Sequence, residues 1–456
     1  MAPAPTILQE IARHKQQEIT AYYQQHSLES LRQQVVPGTR KFHNLTTRNR
    51  QLGRKFFIAE FKRRSPSNPG IAPTADPLIQ VASYLDQGAD AISVLTDNRY
   101  FGGQFEDMLQ VQQLVGAGPV AILNKDFILD PIQIYLARKY GADLILLIAA
   151  LLSDEELLSY HTLATSLGMD TITEVHTREE RDRAVRLGLP VIGVNNRDLH
   201  SFKISLNTTN FLAYDLPKDR IVIAESGMDQ PIDFRICGPY ADGFLVGTSL
   251  MQGSQKIEKL QDLLQQRYFF KACGLRTAEQ LDYPGPDLQG INFSPKSRRT
   301  MPASELKKAK LSAKSVALFF QNSPEEMRNL LSQSAFRWVQ TYGDMPVDLV
   351  QASKKKWIYA FRQPDTHYAD YLHKYPADLF ILDGAVPGSG QSRGYSIPDD
   401  FPFPFLLAGG ITQDTLQQVQ EHPLCIGVDM ASGIEKEGSP DKELIRNIAE
   451  KLHGLP

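Results

Sequence analysis

The feature that most restricts the fold is an alternation. Short apolar runs of strand length recur along the chain, each followed by helical spacing, and the whole series occurs twice. In the first half the runs fall at 56–62, 91–96, 120–125, 144–150, 171–175, 191–196, 221–226 and 243–247. In the second they fall at 269–274, 288–293, 315–320, 336–341, 357–361, 379–384, 404–409 and 425–430. Most are continuously apolar, the pattern of strands covered on both faces and hence of a parallel sheet. Eight strand–helix units in succession predict a (β/α)8 barrel. The competing fold is an open doubly wound sheet, which would carry a Gly-rich phosphate loop after its first strand; no GxGxxG stands there. The fold class is therefore α/β, two tandem (β/α)8 TIM barrels, with domains at 1–267 and 268–456, the second shorter.

Composition narrows the class of protein. A length of 456 residues is enough for two such cores. A net charge of −3, with Lys and Arg dispersed, argues for no nucleic acid and no membrane partner. Cys237, Cys273 and Cys425 are far apart and odd in number, which argues against a disulfide framework and for a reducing, cytoplasmic compartment. The absence of CxxC, HExxH and HxH predicts no metal site. The N-terminus lacks a signal-peptide core, and no apolar run reaches the length of a membrane span.

Ahead of the first strand, 6–23 reads as a helix. Thr6 and Gln9 can form a capping box, and Ile7, Leu8, Ile11, Ala12 and Ile19 make its apolar stripe. Its role is packing or, alternatively, covering a barrel end. Ser153 with Glu156, Thr177 with Glu180, and Ser323-Pro324 with Glu326 mark further helix starts. The stretch 256–267 reads as a helix closing the first barrel, and no Pro/Gly/Ser linker follows it.

The chemistry sits at strand ends. In FFIAEFKRRSPSNPG, Glu60 and Lys62 stand two apart after an apolar run, so both point to one face. They are either a solvated surface pair or part of a site, since a charged pair on a buried face is costly unless used. Lys125 ends the third strand, Glu174 the fifth, Asn195 and Arg197 the sixth, and Glu225-Ser226 the seventh. In a barrel these ends converge on one mouth. Crowded acids and bases shift one another's pKa, and a lysine near another cation becomes a readier proton donor, so general acid–base catalysis is the expected chemistry.

Both halves repeat a glycine arrangement. Ser226-Gly227 and Gly247-Thr248 follow the seventh and eighth strands of the first half; Gly409-Gly410 and Ser432-Gly433 follow those of the second. Such glycines are either turns or the phosphate site that this barrel builds from its last two loops. In the second half Cys273 ends the first strand and Asp383 the sixth, a thiol and a carboxyl suited to moving protons on a sugar. The alternatives are a buried small apolar residue and an Asp-Gly turn. Arg299, in SPKSRR, is either an anion-holding arginine or part of a solvated basic loop.

These segments resemble two known families. EFKRRSPS, SVLTD, NKDFI, ITEV, VNNRDL, AESG and VGTSLM are similar to indole-3-glycerol phosphate synthase throughout the first half. KACGL, FSPKSRR, LDGAVPGSG, LAGGIT and VDMASG are similar to phosphoribosylanthranilate isomerase throughout the second. The resemblance implies the fused enzyme of tryptophan biosynthesis, acting as a monomer without cofactor on small phosphorylated anthranilate–sugar substrates. It assigns Lys125 as general acid of ring closure and Glu174 as the carboxylate assisting proton transfer and dehydration. Glu60, Lys62, Asn195 and Ser226 match other active-site positions, with Lys62 on the substrate carboxylate; Arg197 and Glu225, at the same strand ends, are expected to bind substrate. Ser65, Gly227, Gly247 and Thr248 match the phosphate neighbourhood. In the second half it implies Cys273 as base, Asp383 as acid, Arg299 as substrate-orienting, and Gly409, Gly410, Ser432 and Gly433 around phosphate. Two departures stand out: Gln340-Thr341-Tyr342-Gly343 where the isomerase family often has Gln-Leu-His-Gly, and a short LDYPGPDLQ segment where a longer helix is usual. The rival readings are an active synthase beside a non-catalytic second barrel, and a phosphate-sugar isomerase of another pathway.

Overall fold

The computed structural model describes residues 6–198, 202–253, 260, 264, 267–342, 346–361, 376–383 and 401–455. The chain divides into two compact units, 1–265 and 266–456. The first unit holds a closed ring of eight parallel strands in sequence order: β1 Phe56–Phe61, β2 Ala91–Leu95, β3 Ala121–Lys125, β4 Leu144–Ile148, β5 Asp170–Val175, β6 Val191–Asn195, β7 Ile221–Glu225 and β8 Gly243–Val246. The second holds another: β9 Phe269–Cys273, β10 Leu288–Asn292, β11 Ser315–Phe319, β12 Trp338–Tyr342, β13 Lys356–Phe361, β14 Leu379–Asp383, β15 Phe405–Ala408 and β16 Cys425–Met430. β1 pairs with β8 and β9 with β16, which closes each ring.

Each expected strand is present, with shifts at the ends. The apolar run at 144–150 stops as strand at Ile148 because the chain curls into a 3-10 turn, Ala149–Leu151, which buries Ala149 without extending the sheet. The expected strand end at Gly384, the loop 386–394, Gly343, and most of the expected helix 256–267 lie outside the described residues.

Period-2 alternation fills the first barrel. Phe56 and Ile58 of β1, Ala121 and Leu123 of β3, Ile172 of β5, Val191 of β6, and Ile221 and Ile223 of β7 share one buried interior cluster. Helix α1, Ile7–Gln25, starts at Thr6 with the expected capping box to Gln9. Helices α2, Leu28–Gln34, and α3, Lys41–Gln51, follow.

The leading helices reach both ends of the barrel. The buried face of α1 is Leu8, Ile11, Lys15 and Ile19, so a lysine sits inside the apolar stripe. Lys15 Nζ lies 3.1 Å from Asp97 Oδ2 and 2.8 Å from Asp126 Oδ1, and 2.6 Å from Glu18 on its own helix. Burial alone would lower the Lys15 pKa, but Asp126, Asp97 and Glu18 together raise it well above the usual lysine range. Asp97 and Asp126 stand just past β2 and β3, so α1 covers part of the end where the strands finish. At the opposite end, α3 sets Phe42 edge-on against Phe56, ring centroids 5.6 Å apart, and the His43 amide donates to Asp170 Oδ2 at 3.0 Å. Phe56 and Asp170 begin β1 and β5, so α3 plugs the barrel floor. Phe42→Ala should empty that plug and cost about 3–5 kcal/mol of stability. A denaturant midpoint unchanged in the variant would mean the floor is held by other contacts.

Candidate active sites

Continuing the interior alternation by one step reaches the first site. After Ile58 comes Glu60, after Leu123 comes Lys125, after Ile172 comes Glu174, and after Ile223 comes Glu225. Lys125 Nζ lies 2.6 Å from Glu225 Oε2 and 3.2 Å from Glu174 Oε2. Asn195 Nδ2 donates to Glu174 Oε1 at 3.3 Å. Lys62 Nζ pairs with Glu60 Oε1. Small residues make the room: a Cβ on Gly193 would overlap Glu225 Oε1, and one on Gly247 would overlap Glu60 Oε1. Gly247 therefore serves the charged pair, whatever else its backbone does.

The two carboxylates that share Lys125 are unequal. Burial pushes Glu174 up, but Lys125, His176 and Asn195 hold it well below the usual carboxylate range. Burial pushes Glu225 up too; Lys125 opposes this, Glu174 and Glu60 add repulsion, and the carboxyl ends at about 7. Glu225 Oε1 is buried with no hydrogen-bond partner among the described residues. Lys125 is itself pulled down by burial and pushed further up by Glu225, Glu174 and Glu60, so its pKa lies above the usual lysine range. This differs from the expectation of a lysine made acidic by a neighbouring cation: its closest charged neighbours are anions.

Other expected residues fall around this cluster. Burial lowers the Arg197 pKa against the pull of Glu60, and among the described residues no carboxylate lies within ion-pair distance of it. Ser226 and Gly227 are both left-handed, φ 67° and 89°, turning the chain sharply after β7. Thr248 opens a short helix, Thr248–Met251, directly after Gly247. Ser65 closes a local turn: its Oγ accepts from the Asn68 amide at 3.2 Å. Among the described residues neither Ser65 nor Thr248 hydrogen-bonds to the charged cluster. Sequence reasoning missed His176, whose Nε2 lies 3.3 Å from Glu174 Oε1 and whose Nδ1 lies 3.4 Å from Glu180 Oε2. The available signal was its position two residues after Glu174, in the bend just past the end of β5.

In the second barrel Cys273 ends β9 as expected and is buried. Burial pushes its thiol up to about 11, against the pull of Lys271. Lys271, two residues earlier, is fully buried, with Nζ 2.8 Å from Asp429 Oδ1 on β16. Sequence reasoning missed this pair too, although the same spacing marked it. Asp383 ends β14 and is buried. Tyr342 ends β12, so with Cys273 ending β9, Asp383 ending β14 and Asp429 next to the end of β16 all four stand at one mouth; the Tyr342 hydroxyl pKa is raised by burial and then by Asp429, Asp383 and Cys273. Arg299 lies against Gly274, beside Cys273, but is engaged in a bidentate pair with Glu435 at 2.7 and 2.9 Å. Gly409 and Gly410 are left-handed, φ 91° and 79°. A Cβ on Gly433 would run into the Ile411 carbonyl, so the last two loops touch there; Ser432 opens the 3-10 turn Ser432–Ile434. The short segment after Cys273 forms one 3-10 turn, Glu279–Asp282.

Among the described residues no group of three or more His, Cys, Asp or Glu could hold a metal ion, and no helix is long and apolar enough to cross a membrane.

Residues 8–263 match the family model of indole-3-glycerol phosphate synthase, and residues 270–451 that of N-(5'phosphoribosyl)anthranilate (PRA) isomerase. The chain is 33% identical over 461 residues to the tryptophan biosynthesis protein TrpCF of Salmonella typhi, covering 98% of this chain and 99% of that one. It is 30% identical to TrpCF of Helicobacter pylori strain 26695, with the same coverage of 98% and 99%. It is 32% identical to a multifunctional tryptophan biosynthesis protein of Schizosaccharomyces pombe, covering 85% of this chain and 58% of that one.

Proposed function

The chain belongs to the indole-3-glycerol phosphate synthase and phosphoribosylanthranilate isomerase families, joined as in the bifunctional tryptophan biosynthesis proteins, and on that footing we propose how its two sites divide the work. The second barrel converts phosphoribosylanthranilate to the aminoketose phosphate. Asp383 gives a proton to the ribose ring oxygen as the ring opens to the imine. Cys273, acting as its thiolate, takes the proton from the adjacent carbon, and the resulting enolamine becomes the ketone as the former imine carbon takes up a proton and the enol oxygen gives one up. Lys271 supplies positive charge beside the sulfur, which favours the thiolate that acts as base.

The first barrel closes the pyrrole ring of that aminoketose. Lys125 protonates the substrate carbonyl oxygen while the carboxylate-bearing ring carbon attacks the carbonyl carbon. Carbon dioxide leaves, restoring the aromatic ring. The new hydroxyl then takes up a second proton and leaves as water, while the neighbouring CH2 beside the nitrogen gives up a proton to form the ring double bond. Glu174 stays ionised throughout and holds the ammonium, while Glu225, near neutrality in its titration, exchanges protons. Lys62 and Arg197 are the cations offered to the substrate's carboxylate and phosphate, with the Ser226-Gly227 and Gly247-Thr248 backbones beside them. In the second barrel Gly409-Gly410 and Ser432-Gly433 take the phosphate, and Arg299 orients substrate from its place over Gly274.

The observation that carries this reading is the Lys125 ammonium held between two carboxylates of unequal acidity at a barrel mouth. The test is turnover of phosphoribosylanthranilate by the purified chain, following both product spectra. Formation of the aminoketose and then of the indole is expected; loss of substrate without any indole product would overturn the first-barrel assignment. The phosphate assignment has its own check. Asp tolerates the left-handed backbone that Gly410 adopts, so Gly410→Asp should fold and place a like charge against the phosphate. It should raise the isomerase KM by at least about tenfold, since like charges across a contact cost several kcal/mol. The synthase rate on supplied aminoketose should not change; an unaltered isomerase KM would remove phosphate from that loop.

A further inference from the structure

His176 has no part in the chemistry above, yet it is buried against the carboxylate that holds the Lys125 ammonium. Its side chain is 8% exposed, and its two ring nitrogens face two different glutamates: Glu174 at the end of β5, at 3.3 Å, and Glu180, one helical turn on in Arg178–Arg186, at 3.4 Å. These are ion-pair distances without hydrogen-bond alignment of either ring nitrogen. The His176 backbone amide also donates to Glu180 Oε2 at 2.7 Å, which fixes the loop that carries the ring.

The contacts divide the Glu174 carboxylate. Oε1 faces His176 and Asn195; Oε2 faces Lys125. Glu225 meets the same ammonium with one oxygen, and its other oxygen has no hydrogen-bond partner among the described residues. Two glutamates in equal settings around one lysine would share protons indifferently. The imidazole stands on one side only.

We propose that His176 is a positioning residue of the first site: as an imidazolium clamped between Glu174 and Glu180, it keeps Glu174 an anion and leaves proton exchange to Glu225. The pair Glu174–Glu180 makes the cation stable, and burial alone would work the other way. The folded His176 pKa is indeed raised, to about 10, with burial opposing and the two glutamates overcoming it. The groups that set the balance come from five elements: Glu174 on β5, Glu180 on the following helix, Lys125 on β3, Glu225 on β7 and Glu60 on β1. This inference rests on the assignment of the first barrel as the ring-closing site.

The test uses the whole chain with supplied aminoketose phosphate. His176→Gln keeps polarity and removes the charge. With the cation gone, Glu174 takes a proton at higher pH. The acid limb of the kcat profile should therefore move toward neutral by about one to three pH units, as expected for losing an opposite charge at contact distance. On the acid side of the displaced limb, kcat should fall about tenfold for every pH unit that the limb has moved, with KM nearly unchanged and the rate recovering as pH is raised. Glu180→Gln, which weakens the clamp from outside the site, should displace the limb in the same direction by less. The isomerase rate of the same variants serves as a folding control and should stay as in the wild type. A limb that stays in place in both variants, with any loss equal at all pH values, would overturn the proposal and leave His176 as packing. A wild-type chain that forms no indole product from the aminoketose would instead remove the assignment on which it rests.

Discussion

Lys125→Met should reduce formation of indole-3-glycerol phosphate by about 10²–10⁴-fold, the usual cost of removing a positioned acid. The aminoketose should still accumulate when phosphoribosylanthranilate is supplied. Methionine keeps the length of the side chain, so the loss is of charge and proton more than of volume. The effect on the carboxylates is specific in sign. Lys125 opposes the burial that raises Glu225 to about 7; without the ammonium that carboxyl should titrate higher still. The residual rate should therefore bend at a higher pH than in the wild type. Breaking a buried pair by removing one partner also costs about 3–5 kcal/mol in stability. The isomerase rate and a thermal melt on the same sample separate misfolding from lost chemistry. A variant that closes the ring at the parent rate would show that another group is the acid, Lys62 being the next cation in the mouth.

Cys273→Ala should produce the complementary defect: a fall of about 10²–10⁴-fold in the isomerase step, with supplied aminoketose still converted to indole product. The thiol is pushed up to about 11 in the resting protein, so it is neutral at physiological pH and should react with iodoacetamide far more slowly than a free cysteine. Lys271→Met should slow it further, because the main cation opposing burial and Asp429 is then gone. A barrel's mouth is made by its own eight loops, so neither variant should damage the other site. Mixing the Lys125 and Cys273 variants should restore the two-step conversion through intermediate released to solvent. An intact isomerase rate in Cys273→Ala would reject the thiol as base.

The barrels were legible because a strand covered on both faces has to be apolar along its length, and such runs need no alignment to be seen. Glu60, Lys125, Glu174 and Glu225 were legible as the one polar step that ends an interior row. What was hidden is what depends on distant partners. Arg299 is satisfied by Glu435, 136 residues away in sequence, and no local pattern announces that pairing. The inequality of Glu174 and Glu225 depends on which oxygen each turns toward His176 and Lys125. Lys15 was hidden differently: it occupies a slot in the α1 stripe where periodicity expects an apolar residue, and reading the stripe alone passes over it.

That lysine has a consequence for how the protein is made. Lys15 leaves the ribosome before either of its barrel partners, Asp97 and Asp126, has been synthesised. Until then α1 has only Glu18 as a local counter-charge, and its apolar face has no surface to cover. The catalytic end of the barrel is in turn over-charged until α1 returns to it, because Asp126 directly follows Lys125 in the chain. Docking of α1 is thus a late event that waits for β3, a long-range contact of the kind that slows folding. A nascent chain arrested shortly after β2 should keep Lys15 open to amine-reactive labels, and one arrested after the first barrel is complete should protect it.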